Sequence, residues 1–566
     1  RLQAAPIKAS FPPVRSLPAM PRPLASSTCT SLQFYFRRLC RHSLMSFAAA
    51  FLLIYVPRRG TANLGASLAF ADAVVPYCHR FASLAGPSER SSRRTLGTGP
   101  CSRQRQARPV ARCAENGPGK VTQLIHRSST AEDLLSVLSR EMGRPVFNEI
   151  HVSTAFSRLA KLRWAFSPRV RTSPVLDSLV RQTQQFLEKG SFTARQCATL
   201  IWAITSLRGP LPELKEQLMP ALARAAERQT AGMTAQDVAN IIWAAATLQE
   251  ADLTDQLMPA LVQAAEREVP QMSPQETANV IWAAARLRTA APVLQQLVPD
   301  LVQTAEGQMA IMSAQGVTMI IWAMATMRSE APMLQQLIPA WVYAAERVMD
   351  KLNPQGVANI FWAAATLRND ALDEFIPALA EKRLPRVVRD MNSQNVANVF
   401  WAVGKLELDS SLADHVLRTT LPRLREVLST CDAPAIASIS MGIASCECKD
   451  RPLLKSIAAL VVDKAPTWPG ETAVFQLPRI AWAFARLREY DLGLLCTVAE
   501  HTLIALPDMD SWYLCALLWS FRELDPGSQF AAIRGALEAE MARRGLGDEL
   551  VARAGLVGPE SWQEGE

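Results

Sequence analysis

The sequence predicts an all-α fold, a right-handed α-α superhelical solenoid of about nine two-helix repeats of roughly 40 residues. Three observations predict it. Tryptophan returns at positions 202, 243, 282, 322, 362, 401, 482 and 519, at intervals of 41, 39, 40, 40, 39, 81 and 37 residues. The double interval holds two repeats, with Met441 in the tryptophan slot. The tryptophans sit in one recurring phrase: Ala-Asn-Ile-Ile-Trp-Ala-Ala-Ala-Thr-Leu around Trp243 returns with minor changes around Trp282 and Trp362. Each phrase follows a helix-opening signal and, before that, an amphipathic segment carrying a proline.

The N-terminal element is of another kind. Residues 1–113 hold 17 Lys and Arg against Asp72 and Glu89 alone, which leaves 43 basic and 50 acidic residues in 114–566. The basic pI therefore belongs to this segment. The remainder can bind a polyanion only where it sorts its cations onto one face. Richness in Arg, Ser, Pro and Ala marks a disordered basic targeting leader over 1–113. Within it, Phe47–Val56 is an apolar run behind Arg37, Arg38 and Arg41. A membrane-crossing helix needs about 20 residues, so this run fits a signal-peptide core instead. We expect delivery to a plastid (chloroplast) by the secretory route and no stable membrane insertion of the mature form. A mitochondrial presequence, giving a mitochondrion as destination, and a basic tail without a targeting role are the alternatives.

The solenoid is expected over 114–528. It opens with a capping unit, Val152–Leu162, with Ser157 in the tryptophan slot. Residues 252–288 illustrate a full repeat. Asp252 is placed to cap a first helix running to about Glu268, with apolar residues three and four apart. Pro259 falls inside it, and prolines fill the same slot at 220, 299, 339 and 377, so the first helix either bends or begins there. Ser273 then caps the second helix, Pro274 takes its first position and Glu276 completes a capping box. Thr193, Thr234, Ser313, Asn353 and Asn392 are the corresponding caps elsewhere. The alanine-rich second helices should pack closely, with each tryptophan buried between layers. Residues 529–566 read as a C-terminal helical cap and tail.

Three repeated features are candidates for binding. Asn240, Asn279, Asn359 and Asn398 lie three residues before their tryptophans, either in a hydrogen-bonded ladder that fixes register, the favoured reading, or facing a partner. The first turns of the second helices supply polar positions: Arg195 and Gln196, Gln236 and Asp237, Gln275 and Glu276, Gln315, Gln355, Gln394 and Asn395. One or two variable polar side chains at a fixed height per repeat is how helical repeats read one base per unit; the alternative is that they serve capping alone. Arg208, Arg288, Arg328, Arg368 and Arg488 lie six residues after the tryptophan. They are suited either to the helix dipole or to tracking phosphates.

No catalytic constellation accompanies these features, with no phosphate loop, nucleophile elbow, HExxH or paired-carboxylate context, so no enzyme and no cofactor is expected. The 11 cysteines form no CxxC pair and the six histidines no ligand cluster, which predicts reduced thiols and no metal site.

The phrase Asn-Ile-Ile-Trp-Ala-Ala-Ala-Thr-Leu within a unit of about 38–40 residues resembles octotricopeptide repeats, distant relatives of the leucine-rich region of FAST-kinase-domain proteins. The resemblance covers roughly residues 125–527 and is strongest in the second helices. It implies an organellar RNA-binding protein acting on transcript stability, processing, splicing or translation, with single-stranded RNA as partner. The first helices lack the proline-run and Glu-Trp signature of many green-algal members, so no per-repeat reading rule is carried over. The C-terminal Gly558–Glu566 leaves no room for the nuclease-like domain that often follows such repeats. The alternative function is a protein-interaction scaffold, an assembly factor or subunit of an organellar ribosome, with ribonucleoprotein or ribosomal proteins as partners.

Overall fold

The computed structural model describes residues 117–557, apart from 407, 526 and 528; the expected leader lies outside the described residues. Among the described residues every regular element is helical. Nine second helices follow the cap helix Glu149–Leu162: Ala194–Leu207, Ala235–Leu248, Pro274–Arg286, Ala314–Thr326, Pro354–Leu367, Ser393–Lys405, Ala433–Ser445, Gly470–Leu487 and Ser511–Leu524. Each packs on the next in sequence order, and the first helices form a second layer behind them. No helix among the described residues is long and apolar enough to cross a membrane.

The starts of the second helices follow from local chemistry. Thr193, Thr234, Ser273, Ser313, Asn353 and Asn392 are all N-caps, and Pro274 and Pro354 occupy first-turn positions where the missing N–H costs nothing. A buried apolar residue precedes most caps: Met233, Met272, Met312, Leu352 and Met391. It sits where a hydrophobic staple fixes the angle of entry.

The proline slots divide between helix interiors and helix starts. The helices Glu213–Glu227 and Asp370–Lys382 run through Pro220 and Pro377. At Pro259, Pro299 and Pro339 an α-helix begins instead, after a π-turn at Asp252–Leu257 or 3₁₀ turns at Pro292–Leu297 and Pro332–Leu337. The turn changes pitch there because proline has no N–H to continue the ladder and its ring crowds the carbonyl four residues back. Asp252 accordingly lies within the π-turn and is not the expected cap.

A clamp that the sequence reading missed joins successive repeats. The last turn of a first helix reaches back to the carbonyl just before the cap of the preceding second helix. Gln308 donates to Met272 (2.6 Å), Arg347 to Met312 (3.1 Å), Arg423 to Met391 (2.8 Å), Lys464 to Cys431 (2.9 Å) and Arg544 to Met509 (2.5 Å). These cations are thereby assigned to register between repeats. A hydrogen bond from a charged group contributes about 1.5–3 kcal/mol. Arg423→Met, which keeps the apolar stem, should therefore lose local stability of that order, read by hydrogen exchange as weakened amide protection around Met391–Val396.

Candidate nucleic-acid interface

Each second helix leaves one line of residues open. In Pro274–Arg286 the residues Thr277, Ala278, Val280, Ile281 and Ala283–Ala285 are buried, while Gln275, Asn279, Trp282 and Arg286 are exposed or half-buried. Their spacing of four, three and four residues places them on a single helical face. The same line reads Gln236–Asn240–Trp243–Thr247, Gln315–Met319–Trp322–Thr326, Gln355–Asn359–Trp362–Thr366 and Gln394–Asn398–Trp401–Lys405. Because the helices stack in order, these lines become four parallel columns.

The tryptophan column overturns an expectation. Trp202, Trp243, Trp282, Trp322, Trp362 and Trp401 are half-buried, not sealed between layers. The residue before each one fills the interlayer core: Ile242, Ile281, Ile321, Phe361 and Phe400 are buried. Alanines let the helices approach too closely to enclose an indole, so the rings lie along the surface and stack on one another. Centroid distances are 6.3 Å for Trp282–Trp322, 6.1 Å for Trp322–Trp362 and 6.3 Å for Trp362–Trp401, within the range of favourable aromatic pairs.

The asparagine column corrects a second reading. Asn240, Asn279, Asn359 and Asn398 are half-buried, and none of their amides bonds to another described residue. Among the described residues no register-fixing ladder of these amides is formed. The amides stand beside the indoles with donor and acceptor both open, as do the side chains of Gln275, Gln315, Gln355 and Gln394, while Gln236 accepts a long bond from Arg195 at 3.4 Å.

The other predicted residues go elsewhere. Gln196, Asp237, Glu276 and Asn395 each accept from the cap backbone N–H, completing capping boxes, and Asp237 and Asn395 are buried as well. That bond occupies their polar ends and takes them off the open face. The helix-end arginines are partly engaged within the protein. Arg208 donates to Thr205 of its own helix, Arg288 pairs with Glu330 at 3.4 Å, and Arg368 donates to the Lys405 carbonyl of the next repeat. Arg328 is half-buried and Arg488 exposed. Arg368 and Arg488 also take the left-handed conformation (φ 49° and 56°) that ends their helices.

Charge is nevertheless sorted. Over the nine second helices, the four columns carry Arg195, Arg286, Lys405, Arg479 and Arg486 and a single acid, Glu523. Arg286 donates to the Ala246 carbonyl at 2.7 Å and lies 5.6 Å from the Trp282 ring; Lys405 lies 5.9 Å from that of Trp401. A chain acidic over 114–566 thus presents a basic, aromatic, amide-rich face.

The chain matches no protein-family model and no curated protein sequence. The reading of the face therefore rests on its chemistry.

At its far end the face is covered by the chain itself. The C-terminal helix Asp548–Val557 packs on Ser511–Leu524, and the Trp482 indole N–H donates to the Ala554 carbonyl at 3.0 Å. Gly555 lies so close to Trp519 that an added Cβ would come within 2.2 Å of its indole nitrogen. Trp482 is buried for this reason, and the open run of indoles extends from Trp202 to Trp401.

Buried thiols add no reactive group. Burial pushes Cys197, Cys431, Cys446 and Cys515 up to about 11, so they stay protonated at neutral pH and are weak nucleophiles. Among the described residues no group of three or more His, Cys, Asp or Glu is placed to hold a metal ion.

Proposed function

We propose that the protein is an organellar, octotricopeptide-like binder of single-stranded RNA, acting in transcript stability, processing or translation through binding rather than catalysis. The observation that carries this reading is the register of the columns: half-exposed indoles run from Trp202 to Trp401, asparagine amides stand beside four of the lines (Asn240, Asn279, Asn359 and Asn398), glutamines open five (Gln236, Gln275, Gln315, Gln355 and Gln394), and cations lie on the same lines. Indoles give bases a stacking platform, and amides offer paired donors and acceptors to base edges. Arg286 and Lys405 take phosphates beside the indoles; the helix-end arginines Arg208, Arg288, Arg328, Arg368 and Arg488 form a second line of phosphate contacts. The uninterrupted run of six indoles, Trp202–Trp401, fits about six nucleotides at one base per repeat. The composition of residues 1–113 supports a plastid or mitochondrion as the place of action.

Titration of RNA at several salt concentrations tests the reading. Neutralising Arg288, Arg328 and Arg368 together should weaken binding for every RNA sequence and reduce the salt slope by about 0.7 per lost contact, hence about two. Gln275→Ala with Gln355→Ala should shift sequence preference and leave the slope nearly unchanged. Absence of RNA affinity at low salt sinks the proposal. An unchanged slope in the triple variant returns those arginines to helix capping.

A second reading has its own observation. The face already holds a polypeptide, since the helix Asp548–Val557 seats its last turn on Trp482 and Trp519. A scaffold that grips partner helices in the same way, in an organellar ribosome or its assembly, would bind protein and remain indifferent to RNA.

A further inference from the structure

The first unit of the stack carries a basic, aromatic patch that lies off the columns. Ser157 holds the tryptophan slot in Glu149–Leu162, so this helix adds no indole to the column. Six residues on from that slot stands Arg163, the position that Arg208, Arg288, Arg328 and Arg368 hold in later repeats. The helix packs on Ala194–Leu207, so its end lies about 10 Å along the stack from that of Arg208. Trp164 follows in the turn Arg163–Ala165 and is 84% exposed, the highest value among the large apolar side chains described. The Arg163 guanidinium carbon lies 4.4 Å from the indole centroid, and Arg163 donates to the Ala160 carbonyl at 2.7 Å. One face of the ring is thus backed by a pinned cation, and the other is open to solvent.

The surrounding charge is one-sided. Between Glu149 and Asp177 the chain holds five Lys and Arg and no acid. Arg158 is engaged, donating to the Ser128 carbonyl at 2.6 Å. Lys161, Arg169 and Arg171 are exposed, and among the described residues none of the three has an ion-pair partner. Glu132 is an acid placed against the segment; it accepts from Ser167 Oγ at 2.7 Å and ties the turn to the helix Ala131–Glu141.

This chemistry selects an occupant. Unpaired cations call for an anion, and an indole backed by a guanidinium offers its free face to a flat ring. Single-stranded nucleic acid supplies both, one ring and one phosphate per unit. Binding in a lipid interface takes an extended apolar face, and this turn offers a single indole. We propose that Trp164, Lys161, Arg169 and Arg171 anchor the part of the RNA strand that runs on beyond Trp202, with a base on the open face of Trp164 and phosphates at the three cations. The anchor has no sequence preference, since a ring face and a phosphate are common to every nucleotide. The proposal rests on the RNA reading of the columns and carries the strand from the open face onto the edge where the helix-end arginines lie.

The test uses the full chain and fluorescent oligouridylates of about six nucleotides, enough for the indole column, and about ten, enough to reach the anchor as well. Residues 1–113 are present in every protein compared, so their 17 Lys and Arg contribute equally. The parent should bind the longer strand at least about tenfold more tightly than the shorter one. Trp164→Ala should weaken the longer strand by at least about fivefold, and Arg169→Gln with Arg171→Gln should reduce its salt slope by about 0.7 per contact, hence about 1.4. All three side chains are exposed, so the variants should keep the parent's helical circular dichroism, and the shorter strand should bind them nearly as it binds the parent. Equal affinity for the two lengths in the parent, or a gain from length that survives in both variants, overturns the anchor, while binding of the shorter strand upholds the RNA reading. Binding of neither length removes both. Retention on anionic phospholipid vesicles that falls in variants with the parent's RNA affinity assigns the patch to a membrane surface and overturns the proposal.

Discussion

Phe361→Ala is expected to destabilise the array by about 3–5 kcal/mol, and Trp362→Ala by clearly less, although tryptophan is the larger residue. Phe361 is fully buried between second helices, so its removal leaves a cavity that the surrounding alanines are too small to fill. Trp362 keeps one side in solvent and stacks on Trp322 and Trp401, so its loss trims a surface row. Stability in a stack of repeats is a sum of neighbour terms, so Phe361→Ala should also uncouple the repeats on either side. Urea unfolding with hydrogen exchange by segment reads both effects. Equal destabilisation would place Trp362 in the interlayer core and contradict the account of the open face.

Binding should respond in the opposite order. Replacing Trp322 and Trp362 together by alanine should weaken single-stranded RNA binding by about 30-fold to about 10⁴-fold, because each stacking platform is worth about 1–3 kcal/mol and every 1.4 kcal/mol is tenfold. Phe361→Ala, at a temperature where it remains folded, should bind nearly as the parent does. The loss in the double variant should persist at high salt, where phosphate contacts fade, since stacking releases no counterions. Filter binding or anisotropy across a salt series separates the two components. A double variant that is folded and binds RNA undiminished would leave the column as structural ornament and favour the protein scaffold.

The period was legible because one phrase returns about every 40 residues, and the second helices and all six quoted caps from Thr193 to Asn392 because each cap depends on residues within one turn of it. Proline positions were legible as a choice between bend and start; an α-helix starts at Pro259 and Pro299, where the preceding turn, Asp252–Leu257 or Pro292–Leu297, absorbs the missing bond in its own pitch, and continues through Pro220 and Pro377. What could not be read was the direction of burial. An apolar run such as Ile281-Trp282-Ala283 is compatible with several faces. Which residue turns inward depends on how closely neighbouring helices pack, a property of pairs of repeats. The same limit hid the Arg347 and Arg423 clamps, whose acceptors lie 35 and 32 residues away. A usable signal was present all the same: Gln275, Asn279, Trp282 and Arg286 fall on one helical line. Treating them as one line would have separated Gln275 from Glu276 and aligned the amides with the indoles. The asparagines were expected to satisfy one another on the rule for buried amides; half-exposure removes that requirement.

On the proposed function, RNA lies along the open line of the second helices. Photochemical crosslinking of the full chain to single-stranded RNA, with the modified peptides mapped by mass spectrometry, addresses it most directly. Adducts are expected on the peptides carrying Trp282, Trp322, Trp362 and Trp401, in a continuous run, with the first-helix peptides unmodified. Adducts confined to the first helices or to the turns between repeats, or no RNA retained at low salt, would contradict it.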